Sequence, residues 1–292
     1  RGNAEEFRRP SKGQFIASNP DDDLGRGGQR RGDDRRDDGR RQRSESRPQK
    51  TATSEFAGIT VRGASAEWLN AQQKISGGKF DPSEIQKQAI PRIFDGESCA
   101  IQAPTGTGKT LCYLLPLLQR LEIEERDPLA KSALRLLILV PTAVLQMQTA
   151  ALCRALVGPG RAETVTMLRR DADNTRVSNI VVATPRQILE LLDTPLTAPA
   201  WDTAIRWLDM VVVDEADRLV AKWNKIQQRH RAWEGKVDPC MQLLKLIDEA
   251  TEKSQRADCW QLVAASATMN RTTHRNLKFS SGIDIASVRA GG

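Results

Sequence analysis

Aromatic residues are scarce, at 4% of 292 positions, and tyrosine occurs once. So few rings offer no platform on which a row of splayed bases could stack, so a nucleic-acid partner is expected to be held by its sugar-phosphate backbone. The five cysteines, Cys99, Cys112, Cys153, Cys240 and Cys259, are odd in number and contain no C-x-x-C pair, which excludes a zinc ribbon and a disulfide framework. Reduced thiols inside a core, in a reducing intracellular compartment, are the expectation. Histidine occurs only at 230 and 274, and both are read as surface residues rather than ligands. No apolar run approaches the ~18 residues of a membrane span, and no secretory h-region is present, so a soluble chain is expected. The chain begins with arginine, and an Arg- and Ser-bearing start suits the region after a removed organellar presequence, which favours a mitochondrion over nucleus or cytoplasm. Charge, by contrast, is plentiful. Charged residues make up 28% of the chain, with a net charge of +7, which favours a polyanionic partner.

The most informative stretch is Ala103-Pro104-Thr105-Gly106-Thr107-Gly108-Lys109-Thr110, set between an apolar run at 99–102 and an amphipathic run at 111–121. A strand that ends in a glycine-rich turn and opens a helix leaves backbone N–H groups unpaired at the helix's positive end, where phosphate oxygens bind. Lys109 is placed to reach the β- and γ-phosphates of a nucleotide, and the Thr110 hydroxyl to sit on Mg²⁺. Ala103 stands where the generic loop has glycine. Ala103, Thr105 and Gly106 together give the spelling of the DEAD-box RNA helicases. Downstream, Met210-Val211-Val212-Val213 runs into Asp214-Glu215-Ala216-Asp217, and the apolar run 261–265 ends in Ser266-Ala267-Thr268.

On these residues the chain resembles the amino-terminal RecA-like domain of the DEAD-box ATP-dependent RNA helicases, over roughly 65–290. The resemblance implies ATP and Mg²⁺ as cofactors. Asp214 would hold the metal through its water shell together with Thr110, and Glu215 would orient the attacking water. Asp217 would couple this loop to Ser266 and Thr268. Taken alone, Asp-Glu-x-Asp also reads as an acidic cap on the next helix. Phe80-Asp81-Pro82-Ser83-Glu84-Ile85-Gln86 resembles the family's adenine-reading motif, with Gln86 offering a donor and an acceptor side by side. Trp68 and Phe80 are both candidates for the aromatic that stacks on adenine in relatives.

The strand-gripping motifs are altered. Pro141, Thr142, Leu145 and Gln148 match the family's Pro-Thr-Arg-Glu-Leu-Ala-x-Gln, but Ala143 and Val144 replace the Arg and Glu. Leu168-Arg169-Arg170 stands where relatives have a Gly-Gly turn, and Thr184-Pro185-Arg186-Gln187 where they have Thr-Pro-Gly-Arg. Pro141, Thr142, Gln148, Thr184, Pro185 and Arg186 are therefore the RNA-contact candidates, with Arg186 a substitute charge one position early.

The expected architecture is α/β, a RecA-like parallel sheet flanked by helices. An Arg/Asp/Gly-rich disordered tail is expected over 1–60, before the ATP-binding domain at 61–292. Strands are read at 99–102, 134–140, 164–167, 180–183, 210–213, 261–265 and 282–287. A polar loop is read at 124–131, and a basic insertion, bearing Arg229, His230, Arg231 and Trp233, around Lys222 to Lys236. The family's cycle needs a second RecA-like domain, which supplies arginines worth ~1000-fold or more in comparable NTPases. It is expected elsewhere in a parent chain or on a partner.

Two functions remain open on this reading. One is an ATP-dependent helicase that remodels RNA or ribonucleoprotein, in ribosome or other assembly. The other is an ATP-binding scaffold or assembly factor with weak or no helicase activity, because its RNA-contact motifs are eroded. A DNA translocase is less favoured, since Gln86 and Asp-Glu-Ala-Asp resemble the RNA-acting branch.

Overall fold

Short, fully apolar runs alternate with amphipathic ones along most of the chain, and this pattern fixes the layers. The computed structural model describes residues 51–124, 134–169, 174–220, 238–254 and 260–289. Residues 1–50 of the tail expected over 1–60, most of the loop at 124–131, Arg170, the basic insertion with His230, and Cys259 lie outside the described residues.

The described chain opens with a hairpin, β1 (Thr53–Phe56) and β2 (Ile59–Arg62), turned by Ala57 and Gly58 at positive φ. There follow α1 (Gly63–Ile75), α2 (Glu84–Phe94), β3 (Cys99–Gln102), α3 (Lys109–Glu124), β4 (Leu136–Leu139) and α4 (Ala143–Val157). Then come β5 (Val165–Met167), β6 (Ile180–Ala183), α5 (Pro185–Asp193), α6 (Ala198–Arg206), β7 (Met210–Asp214) and α7 (Ala216–Leu219). The last elements are α8 (Pro239–Lys253), β8 (Gln261–Ser266), α9 (Arg271–Ser281) and β9 (Ala286–Arg289).

Seven strands form one sheet in the order β5-β6-β4-β7-β8-β3-β9, and every pairing in it is parallel. Parallel strands need helical crossovers, which cover both faces of the sheet and leave no face for water. Each residue of β4, β6, β7 and β8 is accordingly buried. Alternate side chains feed two cores. Ile101, Ile138, Val212 and Val263 pack with Leu69, Ile90, Leu114 and Leu156 of α1–α4. Leu137, Val181, Val211 and Leu262 pack with Trp201, Leu243, Ile247 and Leu277 of α6, α8 and α9.

Most strand ends fall within two residues of the sequence reading, and two boundaries differ by four or more. Residues 53–60, assigned there to the tail, belong to the folded unit, because Phe56, Ile59 and Val61 are buried against α1 and α2. The last strand begins at Ala286 rather than 282, because Gly282 takes a left-handed φ of 67° and ends α9, a conformation glycine adopts without strain. Among the described residues no helix is long and apolar enough to cross a membrane. Cys99, Cys112, Cys153 and Cys240 are free and buried. Burial pushes the thiols of Cys99, Cys112 and Cys153 up to about 12, so all three stay protonated and inert.

Candidate functional site

In the sheet order β8 lies between β3 and β7, so the carboxyl ends of these strands bring three sequence-distant segments to one edge. This is the side of a parallel sheet on which ligands bind. The turn after β3 carries the phosphate loop, β7 ends at Asp214, and β8 ends at Ser266. Ala103 N donates to Ser266 O at 3.2 Å, joining the first and third segments.

Gly106 and Gly108 take φ of 82° and 83°, values that side chains with a Cβ rarely adopt. The turn's N–H groups at Gly106, Thr107 and Gly108 donate to no other group among the described residues. Lys109 Nζ folds over the loop and donates to the carbonyls of Ala103 and Pro104 at 2.7 and 2.8 Å. The hollow therefore has free donors, a cation and the amino-terminal end of α3 directed at one place, and it fits a polyphosphate.

Opposite the loop, Asp214 is 7% exposed. Its Oδ1 accepts from Glu215 N at 2.9 Å and its Oδ2 from the Tyr113 hydroxyl at 2.8 Å. Burial raises the Asp214 pKa above the ordinary carboxylate value, and the bond from Tyr113 works against that rise. Tyr113 is buried, and its own pKa is pushed well up, first by burial and then by the Asp214 charge, with the Thr110 and Thr149 hydroxyls lowering it in part. The phenol reaches Asp214 from the helix that the loop opens, three positions after Thr110. Each Asp214 oxygen keeps a lone pair, and with the Thr110 hydroxyl they offer hard oxygen donors. That set fits Mg²⁺, which is held by one or two carboxylates plus substrate phosphates rather than by an all-protein cage. Consistently, no group of three or more His, Cys, Asp or Glu residues among the described residues could hold a metal.

Glu215 lies in the left-handed region at φ 50°, ψ 50°, a position that costs a non-glycine residue about 1–2 kcal/mol. Its carboxylate pairs with Arg218 Nη1 at 2.6 Å. The Thr268 hydroxyl donates to the Asp217 carboxylate, while Ser266 Oγ donates to Thr268 O at 2.8 Å and accepts from Thr268 N at 3.1 Å.

Gln86 is buried at the amino-terminal turn of α2. Its Oε1 accepts from Ser83 N at 2.9 Å and its Nε2 donates to Gly108 O at 3.2 Å. Ser83 Oγ donates to Thr107 O at 3.0 Å. The amide and the hydroxyl therefore both report on the phosphate loop. Phe80 stacks on Phe56 with centroids 5.8 Å apart and meets Trp68 edge-on at 5.9 Å. The two adenine-stacking candidates are thus members of one aromatic cluster, and Phe56 is a third ring that the sequence reading left out.

The RNA-contact candidates share the same side of the sheet, at the ends of β4 and β6. Thr142 and Thr184 cap α4 and α5, accepting from Leu145 N at 3.3 Å and Gln187 N at 3.4 Å. Pro141 is partly buried, Pro185 buried, and Gln148 and Arg186 are exposed. Two glutamines tie these turns together. Gln146 Nε2 donates to Leu168 O at 2.9 Å and Val182 O at 2.8 Å, and Gln187 Nε2 donates to Leu168 O at 3.2 Å while its Oε1 accepts from Thr184 N at 2.8 Å. Gln187, which takes the place of the family's arginine, is therefore spent inside the fold. Val144 and Met147 beside it are 59% and 56% exposed.

The residues missed by sequence reasoning are Tyr113, Gln146 and Phe56. The signal for Tyr113 was its being the one tyrosine, four positions after the loop lysine on the helix that the loop opens.

A family model described as DEAD/DEAH box helicase matches residues 83–276. The chain is 33% identical over 144 residues to the ATP-dependent RNA helicase DDX54 of Mus musculus, which aligns 47% of this chain and 15% of that protein. It is 34% identical over 151 residues to DEAD-box ATP-dependent RNA helicase 50 of Arabidopsis thaliana, covering 48% of this chain and 19% of the relative. The chain thus spans less than a fifth of either relative. Among solved structures, the DEAD-box helicase Mss116 bound to ssRNA and UDP-BeF superposes with a TM-score of 0.57 at 22% identity, over 74% of this chain and 42% of that one. A DEAD box protein from the hyperthermophile Methanococcus jannaschii gives 0.54 at 20% identity, over 83% and 57%. At those identities the structures speak for the fold.

Proposed function

Because this chain belongs to the DEAD/DEAH box helicase family, we propose that it is the ATP-binding half of an ATP-dependent RNA helicase that remodels RNA or ribonucleoprotein. The observation that carries this reading is the convergence of the phosphate loop and Asp214 on either side of Ser266, with Tyr113 of the loop's own helix donating to Asp214.

In this reading the N–H groups of residues 106–108 and Lys109 bind the β- and γ-phosphates and the Phe80 cluster faces the adenine, while Gln86 reads the base with the N–H and lone pair not used on Gly108 O and Ser83 N. Thr110 and Asp214 are the residues for Mg²⁺, which when bound supplies charge neutralisation at the transferring phosphoryl group. Glu215 orients the attacking water, and to do so its carboxylate must leave Arg218. Asp217 and Thr268 carry the nucleotide state from one strand end to the next. The charge-stabilising arginines come from a second RecA-like domain, in a parent chain or a partner. Ribosome assembly or another ribonucleoprotein process is the setting we propose. The reducing compartment follows the buried free thiols, and the Arg- and Ser-bearing composition of residues 1–50 is the ground for a mitochondrial address.

A second reading has its own observation. Gln187 is consumed internally, and the exposed side chains of α4's first two turns are Ala143, Val144, Met147 and Gln148, none of them charged. That suits an ATP-binding assembly factor whose grip on RNA is weak. Lys109→Ala and Glu215→Gln separate the two readings in a complementation assay of the parent gene. Loss of function in both supports the enzyme, and unimpaired function in both supports the scaffold. In vitro, the chain of residues 1–292 is expected to bind ATP with hydrolysis ~1000-fold below that of a two-domain relative; brisk RNA-stimulated turnover by this chain alone would contradict the reading.

A further inference from the structure

Beyond the nucleotide site, the open edge of the sheet carries a second row of positive charge. β9 is the terminal strand of the order, paired only with β3, and α9 packs beside it. Arg271, Arg275 and Lys278 recur at i, i+4 and i+7 and are all exposed, which sets them along one helix face over about 10 Å at 1.5 Å per residue. With Arg289 from the end of β9 they line a groove of about 410 Å³. His274 Nε2 donates to Ile285 O at 2.9 Å and fixes the helix to the strand. Lys278 is paired with Asp284 at 3.0 Å, and the guanidinium groups of Arg271, Arg275 and Arg289 have no ion pair among the described residues.

A basic groove alone fits any polyanion, and a second feature narrows the choice. Phe279, one turn after Arg275 and at the margin of the groove rather than in its lining, is 73% exposed. A lone surface phenyl is ordinary, but one that closes a row of unpaired guanidinium groups matches how single-stranded nucleic acid is held, with cations along the phosphates and a ring under a base. An acidic peptide has no use for the ring. The groove also starts at the rim of the nucleotide site. Asn270 and Arg271 follow closely on Thr268, and Arg289 is the register neighbour of Gln102, the last strand residue before the phosphate loop.

We propose that the groove between α9 and β9 is an auxiliary binding surface for single-stranded RNA, with Arg271, Arg275 and Arg289 on successive phosphates and Phe279 under one base. The choice of RNA as the polyanion rests on the function proposed above. The scarcity of aromatics argued against a stacking platform; a single ring placed by the fold is enough for one base.

The test uses the full 292-residue chain, a fluorescein-labelled single-stranded oligouridylate, and a salt titration, with binding of a fluorescent ATP analogue measured in parallel. Arg271→Glu with Arg275→Glu is expected to weaken RNA binding ~10-fold or more and to remove about 1.4 from the slope of log K against log salt, two contacts at about 0.7 each. Phe279→Ala is expected to weaken binding ~10-fold with the slope unchanged. All three positions are surface ones, and unchanged ATP-analogue binding verifies the fold. Wild-type affinity and slope in both variants overturn the groove and leave the proposed function standing. A wild-type chain that binds the ATP analogue but no RNA overturns both. Displacement by polyglutamate together with an unaffected Phe279→Ala variant overturns RNA in favour of an acidic protein.

Discussion

At the scale of single residues, the charge on Asp214 turns on Tyr113. A buried carboxylate that must be ionised to hold a metal is opposed by its own desolvation, and Tyr113 offsets part of that penalty by donating to Asp214. Because burial raises the Asp214 pKa in the fold, protonating Asp214 stabilises the nucleotide-free domain. This contribution is fully present below the unfolded carboxylate value and is lost as pH rises through the folded one. Metal-dependent binding has the opposite dependence, since it needs the ionised form. Tyr113→Phe removes the bond that lowers this pKa, so the pH at which Mg²⁺-ATP binding fails on acidification is expected to move up, with a stability loss of about 1–3 kcal/mol for the orphaned acceptor. Binding titrations across the acid range, with a parallel thermal melt, measure both; an unmoved pH midpoint would show that the phenol has no hold on Asp214. Such a residue was hard to see in the sequence. Lys109, Asp214 and Glu215 stand in motifs with fixed spacing, whereas Tyr113 matters through a contact across 101 positions.

At the scale of elements, the phosphate loop is held in shape from outside. Gly106 and Gly108 have nearly equal positive φ, but a Cβ on Gly108 would meet Gln86 Nε2 at 2.3 Å, while one on Gly106 would meet nothing within 4 Å. Gly106→Ala is expected to cost only backbone strain of about 1 kcal/mol. Gly108→Ala forces the Gln86 amide to swing away and breaks its bond to Gly108 O, so it is expected to cost about 1 kcal/mol more than Gly106→Ala and to weaken ATP binding further. Thermal melts and ATP titrations of the two variants compare them directly, and equal losses would mean that Gln86 does not brace the loop. Most elements were legible for simple reasons. The runs at 180–183 and 210–213 are short and rich in β-branched residues, which marks them as strands buried on both faces, and the phosphate loop must sit between a strand and a helix. The hairpin at 53–62 was not legible, because its apolar residues are few and lie next to a polar stretch. The roles of Gln146 and Gln187 were hidden for another reason: an amide that joins three turns carries no local periodicity.

At the scale of the whole molecule, the order of the strands makes the site. The sequence places Lys109 and Asp214 more than a hundred positions apart, and only the insertion of β8 between β3 and β7 brings their strands to either side of Ser266. The chain accounts for a small part of its curated relatives, and in the function proposed above the charge-stabilising arginines come from a second RecA-like domain. The central claim is that one Mg²⁺-ATP is shared by the loop lysine and the strand-end carboxylate. Titration calorimetry of ATP, with Mg²⁺ and with chelator, into the wild-type chain, Lys109→Ala and Asp214→Ala tests it most directly. The account predicts one site in the wild type, affinity at least ~10-fold lower in Lys109→Ala under both conditions, and a Mg²⁺ enhancement that disappears in Asp214→Ala. Wild-type affinity in Lys109→Ala, or an undiminished Mg²⁺ enhancement in Asp214→Ala, would contradict it.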